Sequence, residues 1–225
     1  MESYLLHSTL EETGLIEQVK VAIDENVSSE DLAALGDTDT LALEDIILSK
    51  VPDGARLTVL DAPHWMLGTG VDFSGKPITW RGTAGHVTLP SDYLRLVMYK
   101  MSDWSYGVTN AISEDSADYL LQSSRWLGIR GNAERPVVAI VHHRGLKVLE
   151  FYSCLNAAAV IDRAEYIPVP KVTGDGTIAL CPLLLRPTVY RIAELTALAV
   201  GASDTAVALL RCFNDLLTIT NDNNG

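Results

Sequence analysis

The stretch LPSDYLRLVMYK, residues 89–100, sets the central strand of the predicted fold. Pro90 has no amide hydrogen to give to a β-ladder, so we place it at the first residue of a strand. Asp92 is typical of a turn in which the carboxylate bonds its own backbone. The sequence therefore predicts a strand-entrance turn at Pro90 and Asp92 and a strand from Tyr93 onward.

This strand carries apolar side chains on both faces. Strict alternation places Leu94, Leu96 and Met98 on one face and the remaining residues on the other. A strand that is apolar on both faces must be covered on both, by a second layer or by another subunit. If another subunit provides the cover, the candidate interface residues are Tyr93, Arg95, Val97, Tyr99 and Trp104.

Both ends of the chain show the spacing of amphipathic helices. The pattern predicts helices over 2–24 and 30–35, and a third over 41–50. After Pro52 the segment DGARLTVLDAP alternates like a strand but also has helical spacing at Ala55, Val59 and Ala62, and helix is favoured. Near the other end, Pro187 is expected in the first turn of a helix. Gly201 is expected to end that helix, and a last helix is expected to reach about residue 217.

From about residue 68 onward, glycines and prolines separate short β-prone pieces. The runs PVVAIVHH and KVLEFYS indicate a hairpin that turns at Arg144-Gly145, and a second hairpin is expected to turn at 174–176. The predicted class is α+β, in which a bundle of N- and C-terminal helices accompanies a central antiparallel sheet or sandwich. The expected domains are a helical region (1–67), a β-rich domain (68–180) and C-terminal helices that pack on the first (181–225).

The negative charge is concentrated at the start of the chain. The formal net charge is −12, and residues 1–56 hold thirteen acidic side chains against three basic ones. Gripping nucleic acid requires clustered Lys and Arg, which the sequence lacks, although an acidic surface would let DNA pass without binding it. No apolar run approaches the roughly 18 residues of a membrane span, and the N-terminus has no signal-peptide pattern, so we expect a soluble protein made in the cytoplasm.

The search for chemistry predicts no catalytic residue, no metal and no cofactor. Residues 70–76 have the spacing of a phosphate-binding loop, but Pro77 stands where Ser or Thr must hold magnesium, so a glycine-rich turn is favoured. His142 and His143 are adjacent and would point to opposite faces of a strand. The three cysteines form no CxxC pair, and no GxSxG motif occurs. A structural or binding role is therefore the prediction.

The segment LPSDYLRLVMYKMSDW, residues 89–104, resembles the head-to-tail adaptor proteins of short-tailed phages, the tail tubular protein A type. In that family a Leu-Pro-x-Asp-aromatic-Leu-Arg segment enters a central strand. A dipeptide like Asp118-Tyr119, a strand pair like VVAIVHHRGLKVLEFYS and a strand like AEYIPVP follow, in matching order from about residue 86 to 217. The segment SSRWLGIRGNAERPVVAIV is similar to ring-type tail proteins of crAss-like phages.

The resemblance implies a virion structural protein rather than an enzyme. Such proteins form a ring, usually of twelve copies, beneath the portal protein. The ring extends the DNA channel, binds the next tail ring or nozzle protein, and lets the genome pass without specific binding. The implied location is the virion neck or tail, and the host cytoplasm during assembly, without a membrane.

The partner of the predicted interface residues and the exact function both stay open. The predicted interface residues would contact either a neighbouring subunit or the portal. A lower tail ring or tail-completion protein is one alternative function, and a small cytoplasmic hydrolase whose site assembles from distant residues is the other.

Overall fold

The computed structural model describes residues 8–10, 12–27, 42–122, 124–126, 129–152, 154–155, 158–172 and 178–218. The chain divides into two compact units, a helical one from residues 1–68 and 170–225 and a β-rich one from residues 69–169. The α+β class is confirmed. The helix expected over 30–35 and the turn expected at 174–176 lie outside the described residues.

The secondary structure runs as follows. The helices are α1 (Glu12–Asn26), α2 (Leu43–Asp61), α3 (Ala117–Gln122), α4 (Pro182–Ala199) and α5 (Ser203–Thr218), with a 3-10 turn at His64–Met66. The strands are β1 (Ser8–Leu10), β2 (Val71–Asp72), β3 (Thr79–Arg81), β4 (Ala84–Thr88), β5 (Tyr93–Met101), β6 (Ile112–Ser113), β7 (Val138–His143), β8 (Leu146–Phe151), β9 (Ile161–Pro168) and β10 (Ile178–Leu180).

Helix α4 is the centre of the helical unit and packs against α1, α2 and α5. Its buried side chains include Leu184, Val189 and Ile192. The contact with α2 is close because Gly54 has no side chain, and a Cβ built there would lie 2.5 Å from Cγ1 of Ile192. The glycine therefore allows the two helices to approach each other.

The helix predictions are partly corrected. The helix expected over 2–24 begins at Glu12, because residues 8–10 form β1, which pairs antiparallel with β10. Helix α2 runs through Pro52 to Asp61, so the helix favoured after Pro52 is confirmed and the strand alternative is wrong. The prediction for Pro187 is wrong, since α4 begins at Pro182 and Pro187 lies inside it. Gly201 follows the end of α4 with φ of 83°, the left-handed backbone that glycine adopts without strain.

Two sheets form the β-rich unit. One has the strand order β2-β9-β5, and the other has the order β3-β4-β8-β7-β6, in which only the β6–β7 pair is parallel. The core contains aromatic residues from both sheets, and the ring centroids of Tyr99 in β5 and Phe151 in β8 lie 5.5 Å apart. Burial of these large rings stabilises the unit.

The hairpin predicted at Arg144-Gly145 is confirmed. Strands β7 and β8 pair antiparallel with His143 opposite Leu146. Both turn residues have positive φ, 52° at Arg144 and 79° at Gly145, as a two-residue type I′ connection requires. For the second predicted hairpin, an antiparallel bridge joins Val172 to Ile178 on either side of the expected turn. The longer ladders lie elsewhere, since β9 pairs with β2 and β5 and β10 pairs with β1.

Irregular pairing changes which side chains of β5 face the core. The register with β9 shifts between Tyr93 and Arg95 and again between Leu96 and Met98, so each shift adds a residue on β5. The core residues of the strand are consequently Tyr93, Leu96, Tyr99 and Met101. The strict alternation expected from the sequence is therefore wrong, since it placed Leu96 and Tyr99 on opposite faces.

Candidate functional site: an exposed apolar surface

The predicted turn before β5 forms, but its chemistry differs from the expectation. The amide of Tyr93 donates to the carbonyl of Pro90 over 3.0 Å and closes the turn through the backbone. The Asp92 carboxylate accepts a hydrogen bond of 2.9 Å from the Tyr166 hydroxyl on β9. Burial, followed by this bond to Asp92, raises the pKa of Tyr166 to about 12. Asp92 is therefore a tertiary anchor for β9.

Most of the residues predicted at an interface are buried inside the single chain. The exposed fractions of Tyr93, Tyr99 and Trp104 are 6%, 0% and 4%, and all three belong to the aromatic core. We correct their assignment, because side chains packed in the core present no surface to a partner. Val97 is buried as well. Arg95 is half-buried, and its interface role stays a prediction.

A different stretch exposes large apolar side chains. Within ten residues, four such side chains lie mostly in water: Leu120 (75% exposed), Leu121 (54%), Trp126 (74%) and Ile129 (53%). We call these four residues the exposed apolar surface. Arg125 is exposed beside them and forms no ion pair with the described residues. Four large apolar side chains exposed within ten residues are the kind of feature that suits contact with another molecule.

Buried polar contacts hold the backbone of this surface in place. The Gln122 side chain is 2% exposed. Its Nε2 donates to the Val137 carbonyl over 3.2 Å, and its Oε1 accepts from the Gly131 amide over 2.9 Å. One amide thus joins the end of α3 to two later segments of chain. Because buried amides are costly to leave unpaired, these bonds fix the end of α3 relative to Gly131 and Val137.

A second anchor connects α3 to the sheet. The Tyr119 hydroxyl donates to Oε1 of Glu150 over 2.9 Å, and Oε2 of Glu150 lies 3.0 Å from Nε2 of His86. His86 and Glu150 are direct cross-strand partners in β4 and β8. Burial, followed by the bond to Glu150, raises the pKa of the Tyr119 hydroxyl, which therefore stays a hydrogen-bond donor. The helix is held by a carboxylate that is itself buried.

Local bonds connect the described residues Trp126, Ile129 and Arg130 after α3. The carbonyl of Trp126 accepts hydrogen bonds from the amides of Ile129 and Arg130, at 3.0 and 3.2 Å. The Arg130 guanidinium lies over the ring of Tyr152, 5.3 Å from its centroid. Trp126 and Ile129 are therefore placed by a closed turn with a cation–π contact at its end.

A titratable pair, His86 and Glu150, contacts α3 through Tyr119. The His86–Glu150 pair is nearly covered, with side-chain exposures of 13% and 9%. Among the described residues, no serine or cysteine hydrogen-bonds His86, whose Nδ1 is buried without a partner. Activating a nucleophile requires such a bond. We therefore assign the pair to fixing Tyr119, as a support for the exposed apolar surface.

The other sequence motifs have structural partners. His142 Nδ1 lies 2.7 Å from a carboxylate oxygen of Glu114, whereas His143 Nε2 lies 2.8 Å from the Arg81 guanidinium. No cluster of three metal-ligating side chains occurs among the described residues. Residues 70–76 contain strand β2 and the turn that follows it, which is closed by the Lys76 amide on the Phe73 carbonyl at 3.1 Å. No helix in the described part of the chain is long and apolar enough to span a membrane.

Sequence reasoning missed the anchors that hold this surface and did not single out Trp126. Core filling holds for Trp104, whereas Trp126 is mostly exposed. The available signal was the run of consecutive apolar residues at Leu120-Leu121 in a helix of six residues. Neighbouring side chains on a helix point about 100° apart. A helix of six residues therefore cannot easily bury two consecutive leucines on the same side. Gln122 gave no signal, since its role depends on distant carbonyl and amide groups.

Comparison with known protein families found no match, and comparison with curated proteins found none either.

Proposed function

We propose that this protein is a head-to-tail adaptor of a short-tailed phage, which assembles as a ring beneath the portal, extends the DNA channel and binds the next tail component. The observation that carries the proposal is the exposed apolar surface held by buried polar anchors. A chain that fixes the backbone under Leu120, Leu121, Trp126 and Ile129 while leaving these side chains in water is suited to permanent association with another protein.

The organisation of the chain supports the same function. Segments from both ends form the helical unit, and the β-rich unit is inserted between them. The resemblance implies this combination of a helical part and a β-part. The acidic first quarter of the chain would let DNA pass a channel without gripping it.

Mixing the protein with the portal ring encoded in the same genome tests the proposal, with native mass spectrometry and negative-stain imaging as readouts. We expect the portal to gain a complete ring of copies, twelve if the usual stoichiometry holds. A portal that gains nothing, while the protein binds an isolated lower tail ring, would favour the tail-ring alternative. Absence of the protein from purified virions would exclude both structural functions and favour the hydrolase.

Matched variants test whether portal binding depends on the exposed apolar surface. Leu120 and Leu155 are exposed to similar extents, 75% and 77%, but only Leu120 belongs to the exposed apolar surface. We expect Leu120→Ser combined with Trp126→Ser to reduce the number of copies bound to the portal. Leu155→Ser should bind as the unchanged protein does. Equal occupancy for both variants would separate the function from this surface.

A further inference from the structure

A groove between α1 and α4 lies open on the helical unit, with a cavity volume of about 630 Å³. Leu185 and Val189 line its α4 side. Glu17, Val21 and Glu25 line its α1 side and, at four-residue spacing, share one helix face. Val21 is 54% exposed, so an apolar side chain between two carboxylates remains in water. The groove thus has an apolar centre and acidic borders.

The charges of the groove select the kind of occupant. Glu17 and Glu25 form no ion pair with the described residues. Arg186, the lining cation, lies over the ring of Tyr190, 6.0 Å from its centroid. An occupant that buries Val21 also brings its own groups next to two unpaired carboxylates. An apolar surface that carries an arginine satisfies both conditions, whereas an acidic one would be repelled.

The chain itself contains such a surface. The exposed apolar surface includes a tryptophan, Arg125 beside it has no ion-pair partner among the described residues, and no acidic residue occurs from Tyr119 to Gly131. Tryptophan and arginine are the residues that most often dominate the binding energy of an interface. We propose that the exposed apolar surface of one copy binds the α1–α4 groove of a second copy, with its apolar side chains against Val21 and Arg125 next to Glu17 or Glu25.

The geometry of such a contact has a consequence for assembly. The two binding surfaces are different, so each copy offers one surface and one groove, and the contact repeats from copy to copy. Repetition that closes gives a ring, and repetition that does not close gives a filament. The inference deepens the proposed function, because it names the subunit contact of the ring, but it is testable without the portal.

Complementation between two defective variants tests the contact. Val21→Asp blocks the groove and Trp126→Asp blocks the surface, and both positions are exposed enough for the fold to tolerate the change. We expect the unchanged protein to self-associate at millimolar concentration in sedimentation velocity, and each variant alone to lose at least about tenfold in association constant. An equimolar mixture should form a dimer and nothing larger, because one intact surface and one intact groove remain.

Charge reversal gives a second readout on folded protein. Arg125→Glu should weaken association, and combining it with Glu17→Lys and Glu25→Lys should restore it. Val207→Asp and Leu155→Asp are controls, since both residues are exposed apolar positions outside the two binding surfaces, and they should associate normally. Circular dichroism and thermal unfolding verify that every variant is folded.

The outcomes separate this inference from the proposed function. Unchanged protein that stays monomeric at millimolar concentration, or a variant mixture that stays monomeric, would overturn the contact between copies. If Val21→Asp then lost portal binding alone, the groove would take a different partner and the inference would be wrong, although the adaptor function would stand. Self-association with the expected complementation, but without portal binding, would support the contact and exclude the adaptor function.

Discussion

The hydroxyl of Tyr166 in β9 donates a hydrogen bond of 2.9 Å to Oδ1 of Asp92, in the turn that precedes β5. The carbonyl of the same aspartate accepts from the amide of Val169 over 2.7 Å. The side-chain carboxylate and the main-chain carbonyl of Asp92 are therefore both bound by residues at the end of β9, more than seventy positions later in the chain. The turn is defined as much by the neighbouring strand as by its own sequence.

Replacing Asp92 with alanine should lower the free energy of unfolding by about 1–3 kcal/mol, because the buried Tyr166 hydroxyl loses its acceptor. Tyr166→Phe should cost about 1 kcal/mol. Urea unfolding of both single variants and the double variant should show non-additive losses, since the pair interacts directly. Ser91→Ala, at the exposed neighbouring position, is the control and should change stability by less than about 0.5 kcal/mol. Additive losses would show that the bond contributes nothing.

How far the sequence predicts this fold depends on whether the signal is local. The hairpin at Arg144-Gly145 was predictable, because turn chemistry and flanking apolar runs specify it within a few residues. The register shifts of β5 were not, since they reflect pairing with β9, and they moved Leu96 and Tyr99 onto the same face. The same limit applies to the candidate site. Exposure of Leu120 and burial of Gln122 both result from contacts with later segments of chain.

Alkaline pH should destabilise the protein partly through Tyr166. Burial and the bond to Asp92 raise its pKa from 10.0 to about 12, so the native state keeps the proton at pH values where the unfolded chain loses it. This contribution is fully present below about pH 10 and is lost as the pH rises towards 12. Urea midpoints measured across this range should fall less steeply in Tyr166→Phe than in the unchanged protein. Equal slopes would contradict the assigned cause, although buried Tyr93 and Tyr99, whose pKa values are also raised, add to the fall in both proteins.

The Cys154 thiol should be unreactive in the native protein. Burial, and next the Asp103 carboxylate, raise the pKa of Cys154 to about 12, so little thiolate exists near neutral pH. Alkylation by iodoacetamide at pH 8, followed by peptide mass spectrometry, should be roughly a hundredfold slower at Cys154 than for free cysteine. Urea-unfolded protein is the control and should react at the ordinary rate. Fast labelling of the native thiol would disprove the assigned environment.

Removing the Tyr119 hydroxyl should loosen α3 without unfolding the sheet. Tyr119→Phe leaves Oε1 of Glu150 without its donor, at a cost of about 1 kcal/mol. Glu150→Ala should cost more, about 3 kcal/mol, because Tyr119 and His86 both lose their buried partner. Hydrogen exchange should show faster exchange at the α3 amides in Tyr119→Phe and unchanged protection in β7 and β8. Unchanged exchange in α3 would mean that Gln122 alone anchors the surface.

Alanine substitution should change the free energy of unfolding differently at two glycines that lie on different helices. Gly54→Ala should destabilise the protein by about 1–3 kcal/mol, because the new methyl group would lie 2.5 Å from Cγ1 of Ile192 and force α2 and α4 apart. Gly14→Ala is the matched control, since a Cβ at Gly14 meets nothing within 4 Å. There the helix propensity of alanine should make the change neutral or stabilising by up to about 1 kcal/mol.

A second substitution tests whether contact with Ile192 causes the loss of stability in Gly54→Ala. Ile192→Ala removes the side chain that the new methyl group would meet, and it should itself destabilise by about 2–5 kcal/mol through the cavity that it leaves. If the clash is the reason for the loss in Gly54→Ala, the double variant should be more stable in thermal unfolding than the sum of the single effects predicts. A sum that is simply additive would assign the loss at Gly54 to the backbone rather than to the contact between α2 and α4.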